Sequence, residues 1–191
     1  RLAVVKIGAL ANRGSTECQS RWHPTAVYLE RHVEEFQFEI VPLKFDELYS
    51  AVIAGKVEFL IANSSLYAEL EYGGSVHRIA TFLVPSSCGV QNRFGGVVFC
   101  RKDRSDIQTM TDLRGKRFGA VDSDSLGGWH AAWRELRAFD IQPQKDCSQL
   151  HFYGTHDAVV ENVLRGSVDA GTVRSTQLET MAAEGKIDLQ Q

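Results

Sequence analysis

Apolar runs and helically spaced apolar positions alternate along the chain. Residues 4–10 form a short apolar run that suits a buried strand. Pro24 is placed to open a helix, where a missing N–H costs nothing, with an apolar stripe of Ala26, Leu29, Val33 and Phe36. Residues 38–43 read as a second strand. Asp46 is a suitable N-cap for a helix carrying Leu48, Val52 and Ile53, and Gly55 a suitable stop. Residues 57–62 make a third strand, and Asn63-Ser64-Ser65 caps a helix through Tyr67 and Leu70. The series then starts again. Residues 117–121 are a strand, and after Ser125 a helix carries Trp129, Ala132, Trp133 and Leu136. Residues 150–153 are the next strand, Asp157 caps a helix ending at Gly166, and 168–173 is a third strand. Ser175 caps a last helix through Leu178 and Met181. The stripe tryptophans fit a core better than a cofactor box.

The second series repeats the first at a shift of 111 residues. Lys6-Ile7-Gly8-Ala9-Leu10 falls on Arg117-Phe118-Gly119-Ala120-Val121. Without a gap, Trp22 falls on Trp133, Asp46 on Asp157, Gly55 on Gly166, Glu58 on Asp169 and Ser64 on Ser175. Internal similarity of this kind fixes architecture. Strand–helix alternation of this length makes parallel, doubly wound sheets. The expected fold is therefore α/β, with two similar lobes: 1–93 as the first, and 94–191 as a hinge strand plus the second. Phe94-Gly95-Gly96 opens that hinge strand, and residues 85–93 read as loop.

Composition narrows the function. The 191 residues carry a net charge of −3, which gives no general attraction to nucleic acid or anionic membranes. No apolar run approaches the roughly 18 residues needed to span a bilayer. The chain starts at Arg1, without an initiator Met or a signal-peptide pattern, as a mature protein or an excised fragment would. Cys18, Cys88, Cys100 and Cys147 are scattered without a CxxC pair, which argues against structural zinc and thioredoxin-like redox chemistry. They are compatible with disulfides or with buried thiols. HExxH, Walker and EF-hand patterns are missing, and His156-Asp157 lacks the Gly-x-Ser-x-Gly elbow of a hydrolase. No catalytic residue, cofactor or metal is expected.

In parallel α/β sheets ligands collect beyond the carboxyl ends of the strands. The expected ligand-binding residues are therefore Asn12, Arg13, Asn63, Ser64 and Tyr67 in the first lobe, and Ser123, Ser125, Leu126, Gly127, His156 and Arg174 in the second. All face an expected inter-lobe cleft. Helix N-termini rich in Ser, Thr, Asn and Gly suit an anion, and Arg13 and Arg174 add fork-shaped donors. Ser64, Ser125 and Ser175 also have a simpler role, capping their own helices. Asp122 and Asp124 add carboxylates to the same loops. They point away, pair with Arg13, or face a cationic part of the ligand.

Taken together, Ile7-Gly8-Ala9-Leu10, Trp22-His23-Pro24-Thr25-Ala26 and Phe45-Asp46-Glu47-Leu48 resemble phosphate/phosphonate-type periplasmic binding proteins. Arg93-Phe94-Gly95-Gly96-Val97-Val98-Phe99, residues 115–121 and Asp169-Ala170-Gly171-Thr172-Val173-Arg174 extend the likeness. Within that group the chain is most similar to sensor domains of tetrathionate-sensor-type two-component histidine kinases. The resemblance implies a type II periplasmic-binding-protein fold, an extracytoplasmic location and no chemistry in this domain. Tyr67, the turn at 123–128, His156 and Arg174 match its ligand-facing positions. Family members continue with another strand and a return crossing, so the resemblance implies a fragment ending short of these. The implied partners are a small anionic ligand and the membrane-anchored remainder of a sensor kinase, with no nucleic acid. The alternatives are a free solute-binding protein serving an ABC permease and a small enzyme on the same fold.

Overall fold

A computed structural model describes residues 2–86, 89–93 and 95–190. Cys88 and Phe94 lie outside the described residues. Contacts divide the chain into two compact units, Arg1–His77 and Arg78–Gln191.

Unit 1 comprises β1 (Ala3–Leu10), α1 (Ser15–His32), β2 (Phe36–Leu43), α2 (Phe45–Ile53), β3 (Phe59–Ile61) and α3 (Ser64–Tyr72). Its sheet runs in the order β2-β1-β3, all parallel. Ile7, Ala9, Cys18, Ala26 and Ile40 are buried together, with Trp22, Leu29 and Phe38 packed against them.

Three expectations fail here. Phe36 does not continue the stripe of the first helix but begins β2, since α1 ends at His32 with Val33 as its C-cap. Pro24 does not open α1 but lies inside it, because Cys18 and Trp22 extend the buried stripe of Ala26 back by two turns. That burial offsets the one backbone hydrogen bond a proline removes. Nor is Asp46 the cap of α2. Lys44 precedes the helix, and its N–H donates to Glu47 Oε2 at 3.0 Å. Asp46 sits in the first turn, where its charge favours the positive end of the helix dipole.

Unit 2 begins with β4 (Val84–Ser86) and β5 (Gly89–Gln91), an antiparallel pair where the sequence suggested only loop. Next come β6 (Gly96–Cys100), a 3₁₀ turn at Met110–Leu113, and β7 (Arg117–Ala120). A π-helical turn at Leu126–His130 runs into α4 (Ala131–Ala138), followed by α5 (Pro143–Asp146). The rest is β8 (Gln149–Phe152), α6 (His156–Leu164), β9 (Ala170–Arg174) and α7 (Gln177–Ala183). The sheet order is β6-β9-β7-β8, with β6 antiparallel to β9 and the other pairings parallel. Phe118, Leu136 and Ile141 are buried in its core with Trp129, and Trp133 packs against it.

The repeat survives at the level of hydrogen-bond register. Ile7 pairs with Phe59 and Gly8 with Leu60. Phe118 pairs with Ala170 and Gly119 with Gly171, each at the same shift. A Cβ on Gly8 would meet Leu43 and Val57 side chains at 2.9 and 3.2 Å, and one on Gly119 would meet Tyr153 and Val168 at 3.2 and 3.1 Å. Both glycines let neighbouring side chains cross the strand closely. Gly55 and Gly166 both end helices at positive φ, 60° and 74°, and donate to Val52 and Val163 carbonyls at 3.0 Å. The second strands break the pattern. Lys6 pairs with Glu39 but Arg117 with Gln149, one residue short of the common shift.

Glu58 and Asp169 play the same backbone role. Each carboxylate accepts the N–H of the central strand: Lys6 N at 2.7 Å and Arg117 N at 2.8 Å. Asp169 does more. It also accepts from Arg104 Nη1 at 2.6 Å and from Arg117 Nε and Nη2 at 3.1 and 2.8 Å. Those guanidinium bonds, Arg117's foremost, hold its carboxyl well below the usual carboxylate range despite opposing desolvation.

Candidate functional site

In unit 2 the carboxyl ends of β7, β8 and β9 converge. Beyond β7, Asp122 Oδ1 accepts the Asp124 N–H at 3.0 Å, and Ser125 N donates to the Asp122 carbonyl at 3.1 Å. This closes a tight turn, and one Asp122 oxygen is turned inward to its own loop. Ser125, 2% exposed, then accepts the Gly128 N–H on its Oγ at 3.1 Å. The next turn closes as a π turn, His130 N to Ser125 O at 3.0 Å, a geometry that recurs at functional sites. Glycine is required at 128, because a Cβ there would overlap Val121 and sit 2.8 Å from Ser125 Oγ. Gly96 of β6 is needed too, since a Cβ would come within 2.8 Å of the Gly127 carbonyl. The Ser125–Gly128 turn is thus pressed onto the sheet. Ser123 is exposed and Leu126 half-buried on the same loop.

The loop after β8 hangs on the loop after β7. Tyr153 N donates to Ala120 O at 2.9 Å and Gly154 N to Val121 O at 2.7 Å. Thr155, not Asp157, caps α6, its Oγ1 accepting Ala158 N at 3.2 Å. Thr155 directly precedes the first helical residue, whereas Asp157 is already one turn position too far in. His156 therefore begins α6 and is only 3% exposed. Its Nδ1 accepts the backbone N–H of Arg174 at 3.3 Å, which in a neutral ring places the proton on Nε2. Arg174 Nε donates to Gln177 Oε1 at 3.3 Å, and Gln177 Nε2 donates to Asp157 Oδ1 at 2.8 Å. The guanidinium is held at the end of β9 by a polar chain behind it.

Ser175 is not a cap. Its N–H and Oγ both pair with Gly95, at 2.8 and 3.0 Å, adding one more rung beyond the β6–β9 ladder. Thr176, in the left-handed region at φ 68°, precedes α7 instead.

Two residues escaped the sequence reading. Gln177 is fully buried and links Arg174 to Asp157. Its signal was a polar side chain one turn before Met181 on the buried stripe of α7. Thr172 is also fully buried, and its hydroxyl has no hydrogen-bond partner among the described residues. It looked like an ordinary strand threonine.

In unit 1 the expected residues also lie at carboxyl ends, after β1 and β3. Asn12 is half-buried in the turn after β1. The Arg13 side chain is 6% exposed, with Nη1 3.9 Å from Glu17. Asn63 caps α3, accepting Ser65 N and Leu66 N at 2.9 and 3.0 Å, so its Oδ1 is committed to the helix. Ser64 is exposed. The Tyr67 hydroxyl donates to Glu71, one turn along.

Among the described residues no cluster of three or more His, Cys, Asp and Glu is placed to hold a metal, and no helix is long and apolar enough to cross a membrane. Cys18, Cys100 and Cys147 are free thiols.

Two α/β units with strands in the order second-first-third, and with donor-rich loops at their carboxyl ends, define the type II periplasmic solute-binding class. The sequence model described as "ABC transporter, phosphonate, periplasmic substrate-binding protein" matches residues 7–191, and the chain belongs to that family. The family places it outside the cytoplasm and makes this a binding domain, not an enzyme. The chain is 33% identical over 184 residues to the tetrathionate sensor histidine kinase TtrS of Salmonella typhimurium. That match covers 95% of this chain and 31% of the kinase. Among solved structures, a binding-protein component of an ABC phosphonate transporter from Pseudomonas aeruginosa is similar at TM-score 0.78 and 15% identity. It covers 96% of this chain and 61% of that one. PhnD1 from Prochlorococcus marinus, in complex with methylphosphonate, is similar at TM-score 0.76 and 17% identity, covering 95% and 67%.

Proposed function

We propose that the chain is the extracytoplasmic sensing domain of a two-component histidine kinase and that it binds a small oxyanion, a sulfur oxyanion first among them. The likeness that carries this reading is the 33% identity to a tetrathionate sensor kinase across 95% of the chain. The chemistry of the loops supports it. The helical turn after Ser125 and the start of α6 at His156 bring positive dipole ends to these loops, and Arg174 at the end of β9 adds a cation, which together favour an anion. The carboxyl-end loops of each unit are the binding surfaces, with Asn12, Arg13, Asn63, Ser64 and Tyr67 in unit 1. In unit 2 they are Ser123, Ser125, Leu126, Gly127, His156 and Arg174.

Calorimetric titration with tetrathionate, thiosulfate, sulfite, phosphate and methylphosphonate tests the ligand class. Arg174→Ala should weaken binding by about one to two decades, the loss of one charge-assisted hydrogen bond. Its unliganded melting temperature should move little, because Arg174 is half-buried at the very end of β9 and outside the buried core of the unit. A wild type that binds none of the five anions removes the oxyanion reading, and equal binding by both proteins removes Arg174 from the site.

The second reading is a free binding protein for an ABC importer, favoured by the family description and the phosphonate-transporter likeness. Replacing the sensor domain of a tetrathionate sensor kinase with this chain separates the two. Ligand-dependent autophosphorylation of the chimera supports sensing, and a ligand-binding but silent chimera supports transport.

A further inference from the structure

Beside the turn that leads into β3, over the face of the unit 1 sheet that carries Val4, Lys6 and Val41, lies an open cleft of about 500 Å³. Lys6, Glu39, Gly55, Lys56 and Glu58 line it. The matching positions of unit 2 show what such a surface holds. There Arg117 donates through Nη2 to the Gly166 carbonyl at 3.0 Å and through Nη1 to the Ser167 carbonyl at 2.9 Å. Its Nε donates to the Asp169 carboxylate at 3.1 Å, and a second guanidinium, from Arg104, reaches that carboxylate at 2.6 Å.

The backbone of unit 1 reproduces this acceptor set bond for bond. Gly55 N to Val52 O and Gly166 N to Val163 O are both 3.0 Å, and Lys56 N to Ala51 O and Ser167 N to Asn162 O are both 2.9 Å. Glu58 N to Lys6 O at 3.0 Å matches Asp169 N to Arg117 O at 2.9 Å. The Gly55 and Lys56 carbonyls and the Glu58 carboxylate are thus laid out like acceptors that carry two guanidiniums elsewhere in the same chain. Glu39, opposite Lys6 in register, adds a carboxylate where unit 2 has the neutral Gln149. Yet unit 1 has Lys6 in place of Arg117. Among the described residues the side chains of Lys6, Glu39 and Lys56 make no hydrogen bond or ion pair, and the Glu58 carboxylate bonds only the Lys6 backbone.

We propose that this cleft is a docking site for an arginine side chain of a partner polypeptide. Two carbonyls and a carboxylate suit the planar, multi-donor fork of a guanidinium, and the compact ammonium of lysine cannot span all three. In unit 2 the two carbonyls are filled by Arg117 from the central strand itself; with lysine at position 6, unit 1 has no guanidinium of its own on these acceptors among the described residues, which is why an arginine carried by another polypeptide is the occupant.

The test is amide NMR of the full chain titrated with N-acetyl-arginine amide, beside the N-acetyl-lysine and N-acetyl-citrulline amides. The arginine probe should give saturable shifts at Gly55, Lys56 and Glu58 with Kd of roughly 1–10 mM, the affinity of two neutral hydrogen bonds and one charge-assisted one. Glu58→Gln should weaken it about tenfold, one charge-assisted bond's worth. Lys6→Arg should fill both carbonyls internally, removing the probe-induced shifts at Gly55 and Lys56, weakening probe binding and raising the unfolding midpoint by about 2 °C. The proposal fails if arginine and citrulline probes shift these amides equally, if none shifts them, or if Lys6→Arg binds the probe like the wild type. None of these outcomes depends on which solute the carboxyl-end loops bind.

Discussion

Replacing Asp169 by Asn tests the account of how the central strands are anchored, and Glu58→Gln supplies the matched control. Asp169 accepts four hydrogen bonds, three from guanidinium nitrogens, with a side chain 14% exposed. An amide keeps one acceptor oxygen but turns an NH₂ toward Arg104 or Arg117; Arg104 then keeps only its pair with Asp106, and Arg117 only the Gly166 and Ser167 carbonyls. Charge-assisted bonds are each worth roughly 1.5–3 kcal/mol and are not additive here, so Asp169→Asn should cost about 2–4 kcal/mol at pH 7. Glu58 makes one exposed bond, which an amide oxygen can still accept, so Glu58→Gln should stay within about 0.5 kcal/mol. The acidity of Asp169 adds a second signature. Because its folded carboxyl is held below the unfolded value, its stabilisation is complete above about pH 5. It fades as pH falls below about 4, toward the folded value. The gap between wild type and Asp169→Asn should therefore be flat from pH 5 to 8 and narrow toward pH 3. Urea unfolding followed by tryptophan fluorescence measures both, with Trp129 and Trp133 in the affected unit and Trp22 in the other. An Asp169→Asn cost under about 1 kcal/mol, or a gap unchanged at pH 3, would refute the anchoring argument.

Two further outcomes follow from packing. Gly128→Ala should destabilise by about 3 kcal/mol or more, since its Cβ has no room against Val121 and Ser125 Oγ; a thermal melt within 2 °C or so of wild type would contradict this. Cys147 is buried and its thiol is pushed up to about 11 by burial, and burial likewise raises Cys18. Both should resist a disulfide-exchange reagent at pH 8 until denaturant is added, and rapid native labelling mapped to either residue would count against their burial.

The strand–helix order and the relation between the two halves were legible because glycines and acids at fixed offset do the same backbone job in each. The Gly8/Gly119 crossings, the Gly55/Gly166 helix stops and the Glu58/Asp169 anchors all arise from local sequence that the chain carries twice. Helix starts were less legible. At both α2 and α6 the sequence offers an aspartate, but the cap is decided by which residue stands just before the first helical turn, a matter of one or two positions. Pro24 misled because tertiary burial of Cys18 and Trp22 outweighed its local preference. At the candidate site, the placement of residues at strand ends could be read from periodicity. The burial of His156, its bond to the Arg174 backbone and the Gln177 bridge could not, because each joins residues that only the folded β9 brings together.

The one-residue departure of β8 from the common shift has a location. β2 passes into α2 through the single residue Lys44, whereas β8 reaches α6 through Tyr153, Gly154 and Thr155, with Gly154 at φ 78°. The first and third strands of both halves keep their alignment throughout. The two halves thus differ in length around their second strands, while the turns Gly55–Glu58 and Gly166–Asp169 at the foot of their third strands agree bond for bond. Such a scaffold can accept new loop lengths, and with them new solutes, without re-registering a strand that holds the sheet together. Engineering a different specificity should accordingly begin at residues 153–155 and leave the amino ends alone.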